Sequence, residues 1–261
     1  MWLDSDQTIH KQDLLLQKPF VNAPGTLGFV PDTRTMPYLK HLGAFITNPI
    51  SYQPRRPAGS RTYLPFEGGF LLHTSLPNPG ITRSIARFKR WWANAPLSII
   101  VHLLVESPGT LAEMVQKLES LENLIALEIG LPPDCDLPLL ETLLEAASGE
   151  LPLIIYMSPE QLPDLLEPLT KLQPTVVHLG PPRGTHPNQE GDLVTGRLYG
   201  PAVFPVMLHA LKLLEEAGLK VIAYGGINKH WQAQTMLENG AMGVSLGEAL
   251  WKINVGDVFE S

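Results

Sequence analysis

Short apolar segments alternate with longer amphipathic segments along most of the chain. Residues 221–224 lack the polar alternation of a half-exposed strand, which is typical of strands buried on both faces of a parallel sheet. Other segments, such as residues 111–121, have the pattern of helices. The alternation predicts an α/β fold with a parallel sheet.

The predicted strands are eight in number, and each precedes a segment with helical character. This count within 261 residues predicts a single (β/α)8 barrel that spans residues 1–261 as one domain. The predicted strands are residues 20–23, 43–47, 97–105, 124–129, 151–157, 175–179, 221–224 and 242–246. The predicted helices are residues 33–41, 84–95, 111–121, 137–147, 163–171 and 201–217, and two more that begin near residues 228 and 248.

Two segments interrupt the alternation. Residues 51–68 are irregular and rich in Pro, Arg and Gly, and a strand-like segment follows at residues 70–74. Residues 180–200 are rich in Gly, Pro, Asn and Asp and have no apolar periodicity. Long ordered loops in compact domains are usually functional, so we expect this second segment to lie over the mouth of the barrel. A functionless insertion is the alternative.

Glycines follow the last two predicted strands. Gly225 and Gly226 come after residues 221–224, and Gly247 comes after residues 242–246. Backbone N–H groups at two adjacent turns of this kind converge on one anion, and a barrel commonly binds phosphate there. We call these two turns the anion cup. Glu248 follows directly, and its carboxylate either opposes a bound phosphate or caps its own helix.

Charge and composition restrict the partners. The net charge of −7 and the pI near 5.6 argue against nucleic acid and against an anionic membrane surface. The one cysteine, Cys135, excludes an internal disulfide, and no targeting signal or membrane span is visible. We therefore expect a cytoplasmic protein that acts on a small molecule. The oligomeric state stays open, with a homodimer as one option.

Five blocks of sequence, in order, resemble the dihydroorotate dehydrogenase family, which are FMN-binding barrels that oxidise dihydroorotate to orotate. The resemblance implies a (β/α)8 barrel, FMN as cofactor and an oxidoreductase that acts on CH–CH bonds in pyrimidine biosynthesis. The middle third of the chain matches only as a rhythm of strands and helices. The blocks are KPFVNAPGTLG at 18–28, residues 42–47 with PRRPAGSR at 54–61, LPNPG at 76–80, GRLYGPAVFP at 196–205, and GGI at 225–227 with Gly240, Ala241 and Gly247.

The resemblance also implies a set of site residues. Ala23 and Gly25 would lie under the flavin ring, and Asn78 would contact the substrate. Arg197 stands where the family has glycine and would either add positive charge at the phosphate or remain a solvated loop residue. The full implied cofactor set is Ala23, Gly25, Thr47, Asn48, Gly196, Arg197, Gly200, Gly225, Gly226, Gly247 and Glu248.

The chain departs from the family where the substrate would react. Gly130 stands at an asparagine position, and no serine or cysteine stands at the position of the base, since Cys135 falls about two residues late. Tyr156 and Asn48 stand where the family has lysines, and Leu72 stands where it has an asparagine. A planar anion such as orotate needs several amide partners, so these losses indicate an altered substrate.

Tyr156 and His178 are the candidates for a replacement acid or base, because both stand near the predicted barrel mouth. His102 lies inside an apolar strand and is interpreted as a hydrogen-bonded core histidine. No cluster of His, Cys or carboxylates has the spacing of metal ligands.

Three functions remain open. The first is an FMN-dependent oxidoreductase of the dihydroorotate dehydrogenase type with an altered substrate. The second is a flavin- or phosphate-binding barrel without catalysis. The third is a flavin-free lyase or isomerase that acts on a phosphorylated metabolite.

Overall fold

The computed structural model describes residues 13–57, 62–251 and 256–259. Its strands are numbered along the chain. They are β1 (Phe20–Asn22), β2 (Leu42–Ile46), β3 (Thr62–Phe66), β4 (Gly69–His73), β5 (Ile99–Leu104), β6 (Leu124–Gly130), β7 (Leu153–Met157), β8 (Val176–Leu179), β9 (Arg183–Pro187), β10 (Leu193–Tyr199), β11 (Val221–Tyr224) and β12 (Ala241–Leu246).

Eight parallel strands close into a barrel in the order β1, β2, β5, β6, β7, β8, β11, β12. The closing pair is β1 with β12, in which Phe20 lies opposite Val244. Strand residues such as Phe45, Ile100 and Val221 are fully buried because helices cover the outside of the barrel and side chains fill its inside. The predicted (β/α)8 barrel is confirmed.

Seven α-helices lie in the described residues. Polar caps begin some of them: the Ser107 side chain accepts a hydrogen bond from Thr110 N, and the Asp136 side chain accepts one from Leu139 N. No helix in the described ranges is long and apolar enough to cross a membrane. The helices are α1 (Ile81–Ala93), α2 (Pro108–Leu118), α3 (Leu137–Ala146), α4 (Leu162–Leu172), α5 (Phe204–Glu216), α6 (His230–Glu238) and α7 (Gly256–Phe259).

Two predicted helices were wrong. Residues 33–41 form only a 3-10 turn at Pro37–His41, because Asp32 Oδ1 accepts from Arg34 N and fixes a local turn instead of a helix. The helix predicted to begin near residue 248 is a 3-10 turn at Glu248–Trp251.

A second, antiparallel sheet has the strand order β3, β4, β10, β9. The strand predicted at residues 70–74 is β4, but residues 180–200 were wrongly expected to lack regular structure, since they form the hairpin of β9 and β10. The hairpin is stabilised by pairing with β4, in which Tyr199 lies opposite Phe70, and this distant pairing leaves no periodic signal in the local sequence. Part of the block at residues 54–61 lies outside the described residues.

Candidate functional site

A cavity of about 560 Å³ lies between the carboxyl ends of the barrel strands and the antiparallel sheet. The barrel contributes Ala23, Tyr156 and Tyr224 to its lining, and the hairpin segment contributes Arg197 and Tyr199. The segment at residues 180–200 therefore covers the mouth of the barrel, as predicted. Carboxyl ends of strands are where barrel enzymes place their active sites.

Stacked aromatic rings form the wall of this cavity. The rings of Phe70 and Tyr199 stack with centroids 5.2 Å apart, and Tyr63 packs on Phe70 at 5.0 Å. Gly196 makes room for this wall, since a Cβ there would lie 2.6 Å from Leu71 Cδ2 and 2.8 Å from Leu72 O. The wall suits a flat, largely apolar ligand.

Arg197 reaches from β10 to the floor of the cavity. Its Nη1 donates a hydrogen bond to the Tyr156 hydroxyl at 3.3 Å, and its guanidinium carbon lies 5.5 Å from the centroid of the Tyr156 ring. The arginine remains charged at any ordinary pH. A permanent cation therefore lines the cavity beside the Tyr156 hydroxyl.

Tyr156 keeps its proton. Burial raises the pKa of its hydroxyl well above the usual range, and the nearby Arg197 opposes this effect only in part. The side chain is 4% exposed and lines the cavity. Tyr156 is therefore a hydrogen-bond and proton donor at neutral pH and cannot serve as a base.

A buried cluster of His102, Glu128 and His178 lies beneath Tyr156. His102 Nδ1 lies 2.6 Å from Glu128 Oε1, and His178 Nδ1 is bonded to Glu128 Oε2. The Tyr156 ring contacts both imidazoles edge-on, at centroid distances of 5.0 and 5.1 Å. Four neighbouring strands of the barrel, β5 to β8, thus place the side chains of His102, Glu128, Tyr156 and His178 in one cluster, which we call the polar floor.

The charge state of the polar floor follows from its hydrogen bonds. Burial alone would raise the pKa of Glu128, but the two imidazoles lower it to about 2. Burial also lowers the pKa of His102, against the effect of Glu128. An ionised carboxylate only accepts, so each imidazole presents Nδ1–H to it. His178 Nε2 has no hydrogen-bond partner among the described residues.

Two glycines lie closely against the polar floor. A Cβ at Gly130 would lie 3.0 Å from His102 Nε2, and a Cβ at Gly180 would lie 2.6 Å from Tyr156 Cζ. His102 therefore occupies the space that the family's asparagine side chain at position 130 would need. The departures from the family pattern at positions 130 and 156 are parts of one packing arrangement.

The anion cup has free donors. Among the described residues, the backbone N–H groups of Gly225, Gly226 and Gly247 have no hydrogen-bond acceptor. A Cβ at Gly225 would lie 2.3 Å from Met207 Cγ, and one at Gly247 would lie 2.7 Å from Tyr224 Oη. Packing against α5 and Tyr224 thus requires glycine here, in addition to any need for close approach of a ligand.

Glu248 directs its carboxylate to the place where three segments meet. Oε1 accepts a hydrogen bond from Gly200 N at 3.1 Å, and Oε2 accepts one from the Tyr224 hydroxyl at 3.4 Å. The side chain is 7% exposed. Gly200 precedes α5, Tyr224 precedes Gly225, and Gly247 precedes Glu248 itself. The carboxylate therefore lies next to the two turns of the anion cup.

The remaining predicted site residues fall into two groups. Ala23, Gly25 and Asn48 line the cavity together with Tyr156 and Arg197. The others lie away from its lining. Thr47 is fully buried and accepts from His102 N, His178 lies behind Tyr156, and Asn78 Oδ1 accepts from Ser51 N and Gly80 N, which fixes two loops.

The sequence did not point to several lining residues. Tyr63, Phe70, Tyr199, Tyr224 and Trp251 all line the cavity. Their only signal was an aromatic residue at the end of a strand or in a segment near the mouth. Cys135 lies outside the cavity lining, and burial raises its pKa to about 11, so it is an inert thiol. In the described ranges, no group of His, Cys, Asp or Glu is placed to hold a metal ion.

The known proteins described here as similar to this chain are all dihydroorotate dehydrogenases. No model of a known protein family matches the chain. It is 25% identical over 272 residues to the catalytic subunit of dihydroorotate dehydrogenase B (NAD(+)) of Pelobacter propionicus, with 94% of this chain and 87% of that protein covered. For the corresponding subunit of Trichlorobacter lovleyi, the identity is 25% over 264 residues, with 90% and 84% covered.

A shorter match and a solved structure point the same way. A putative dihydroorotate dehydrogenase A (fumarate) of Aeropyrum pernix is 28% identical over 131 residues, which is 50% of this chain and 42% of that protein. The crystal structure of dihydroorotate dehydrogenase from Eimeria tenella in complex with ferulenol has the same fold, with a TM-score of 0.66 and 14% identity over 89% of this chain and 76% of that one. The chain is therefore a divergent relative of the dihydroorotate dehydrogenases, built on a (β/α)8 barrel.

Proposed function

We propose that the protein is an FMN-dependent oxidoreductase of the dihydroorotate dehydrogenase type that acts on a carbon–carbon bond of a substrate other than dihydroorotate. The observation that carries the proposal is the guanidinium of Arg197 on Tyr156, at the floor of a cavity walled by aromatic rings. The proposal keeps one domain over residues 1–261, a cytoplasmic location and a small-molecule substrate.

The donors of the cavity, and those of the anion cup outside its lining next to Tyr224, suit a flavin. By the resemblance, the family has lysines at positions 48 and 156, where this chain has Asn48 and Tyr156. Arg197 reaches the Tyr156 hydroxyl from β10 and so returns a cation to that place. The free N–H groups of Gly225, Gly226 and Gly247 suit a phosphate. Only Glu248 opposes one.

The side chains around the cavity favour proton donation over proton removal. No carboxylate, imidazole or thiol is among the described residues that line it. Dihydroorotate oxidation needs a base, and Tyr156 retains its proton. Reduction of an electron-poor C=C bond instead takes a hydride, which is the chemistry a reduced flavin supplies when bound, and a proton.

Tyr156 is the group placed to give that proton. Transfer breaks its O–H bond, forms a C–H bond on the substrate and leaves a phenolate. Arg197 stabilises this phenolate through the hydrogen bond from Nη1, and water at the open mouth returns the proton. A carbonyl or carboxylate on the substrate can accept from the other guanidinium N–H groups.

Visible absorption spectra test the proposal. The purified protein is mixed with FMN, desalted and scanned, in parallel with Arg197→Met and with Arg183→Met as the control. Arg183 lies opposite Arg197 in the β9–β10 hairpin and is exposed. We expect the native protein and Arg183→Met to retain a flavin band and Arg197→Met to lose most of it. No retained flavin in the native protein would sink the proposal.

A flavin-binding barrel without catalysis is the second candidate. It is favoured by the same lack of a base among the lining residues. It predicts retained flavin that no substrate reoxidises. A screen of activated alkenes against the chemically reduced flavoprotein separates the two candidates, since the first predicts reoxidation that depends on the alkene.

A further inference from the structure

Glu248 places a carboxylate beside the turns where a phosphate would be bound. Its two oxygens accept from Gly200 N and from the Tyr224 hydroxyl, and the neighbouring N–H groups of Gly225, Gly226 and Gly247 remain without acceptors in the described residues. A negative charge of the protein thus lies next to the donors of the cup.

A buried hydrogen bond from Tyr224 holds this carboxylate next to the cup. Tyr224 is 1% exposed, and its hydroxyl lies against Gly247, so the hydrogen bond to Glu248 is shielded from solvent. Burial and the charge of Glu248 both raise the pKa of Tyr224. Tyr224 therefore stays protonated and available as a donor to the carboxylate.

A phosphate dianion in the cup would lie against this charge. Two negative groups in a partly buried site repel each other strongly because the effective dielectric is low and water cannot screen them. A ligand without a phosphate does not meet this penalty.

We propose that Glu248 is a specificity-determining residue that lowers the affinity of the cup for the phosphate of FMN relative to a flavin that lacks one. The inference rests on the proposed function, because it assumes that the cavity binds the flavin ring. The protein should then discriminate little between FMN and riboflavin, and removal of the charge should create a preference for FMN.

Quenching of flavin fluorescence measures the dissociation constants of FMN and riboflavin for the native protein, Glu248→Gln and Glu122→Gln. The glutamine retains the shape and one acceptor of Glu248. Glu122 is exposed and precedes β6, at the opposite end of the barrel, so its variant controls for the change in net charge. We expect Glu248→Gln to bind FMN about tenfold or more tightly, with riboflavin unchanged and Glu122→Gln like the native protein.

A thermal shift with inorganic phosphate gives a readout that does not depend on the flavin. Phosphate should stabilise Glu248→Gln and leave the native protein unchanged, at matched ionic strength. If Glu248→Gln does not fold, Glu248→Ala takes its place in both measurements. The inference would be overturned if Glu248→Gln and Glu248→Ala each weakened the binding of FMN and of riboflavin equally, because Glu248 would then act only on structure.

Failure of the inference and failure of the proposed function give different results. If no flavin binds to any variant but phosphate still stabilises Glu248→Gln alone, the flavin assignment is wrong and the role of Glu248 in the cup stands. If flavins bind, and neither Glu248→Gln nor Glu248→Ala changes the ratio of the FMN and riboflavin dissociation constants, the cavity assignment stands and the role proposed for Glu248 is wrong.

Discussion

The polar floor and the anion cup differ in how their charges are matched. In the floor, the carboxylate of Glu128 has both oxygens bonded to imidazoles of the same chain, and all three side chains are almost fully buried. In the cup, three glycine N–H groups have no acceptor in the described residues, while the carboxylate of Glu248 lies beside them. The carboxylate of the floor is matched by donors of the chain itself, whereas the glycine donors of the cup have no acceptor in the described ranges.

The difference indicates that the polar floor stabilises the barrel, whereas the anion cup selects its ligand. The floor includes departures from the family pattern at positions 130 and 156. They fit together by packing, since His102 lies against Gly130 and Tyr156 lies against Gly180. The cup keeps the family's glycines, and a single side chain alters its charge.

The largest expected effect is the loss of the carboxylate from the floor. Glu128→Leu leaves two buried Nδ1–H groups without an acceptor, and removal of one partner from a buried ionic cluster costs about 3 to 5 kcal/mol. Glu128→Gln should cost less, because one imidazole can change tautomer and accept from the amide. Urea unfolding measures both. The exposed Glu122→Leu is the control, and an equal loss in that variant would contradict a self-contained floor.

The dependence of the free energy of unfolding on pH also tests whether the floor is charged. The folded-state pKa of Glu128 is lowered from 4.5 to about 2, so its contribution is complete above pH 4.5 and is lost as the pH falls towards 2. It amounts to about 3 kcal/mol. The pKa of His102 is lowered from 6.5, so protonation of the unfolded chain also weakens the fold below pH 6.5.

Urea unfolding at pH 7, 5.5 and 3.5 tests these two windows. We expect the free energy of unfolding to fall from pH 7 to 5.5 and again to 3.5. In Glu128→Leu, the second decrease should shrink. A stability that stays level between pH 7 and 3.5 would show that the floor is not charged as inferred.

In the cup, the expected effect of a mutation is smaller and arises from packing. Gly225→Ala places a Cβ 2.3 Å from Met207 Cγ at a residue with φ of +110°, so both strain and a clash destabilise it, by about 2 to 3 kcal/mol. Gly191 has φ of +89° but open space around the added Cβ. Gly191→Ala should therefore show the strain alone, at about 1 to 2 kcal/mol. Equal losses in urea unfolding would argue against the contact with α5.

The barrel was predictable because a strand that is buried on both faces appears in the sequence as a short apolar run. The predicted strand at residues 221–224 has the bounds observed for β11, and that at residues 242–246 lies within β12. The hairpin of β9 and β10 was missed because pairing with β4, more than 100 residues earlier in the chain, stabilises it. Its exposed, glycine-containing strands show no apolar run that local reasoning could detect.

The site was predictable only where single residues carry the chemistry. The hydrogen bond of His102 to Glu128 confirms the core histidine that its apolar strand predicted. That His178 shares the same carboxylate depends on the register of four strands, which no local pattern fixes. The signal that could have found this cluster is Glu128 inside an apolar strand, because such a carboxylate is almost never buried unpaired.

The smallest expected effect on stability is at the boundary between the floor and the cavity. Within the described part of the chain, the Tyr156 hydroxyl is hydrogen-bonded to Arg197 alone, at 3.3 Å, and the ring keeps its edge contacts with both imidazoles in Tyr156→Phe. This variant should lose about 1 kcal/mol of the free energy of unfolding, measured with urea.

The flavin affinity of Tyr156→Phe should stay close to that of the native protein, because Arg197 remains. Alkene-dependent reoxidation of the reduced flavoprotein should fall about 100-fold or more, since the proton donor is gone. Unchanged reoxidation would show that the proton comes from another donor, and the floor would then serve only to position Arg197.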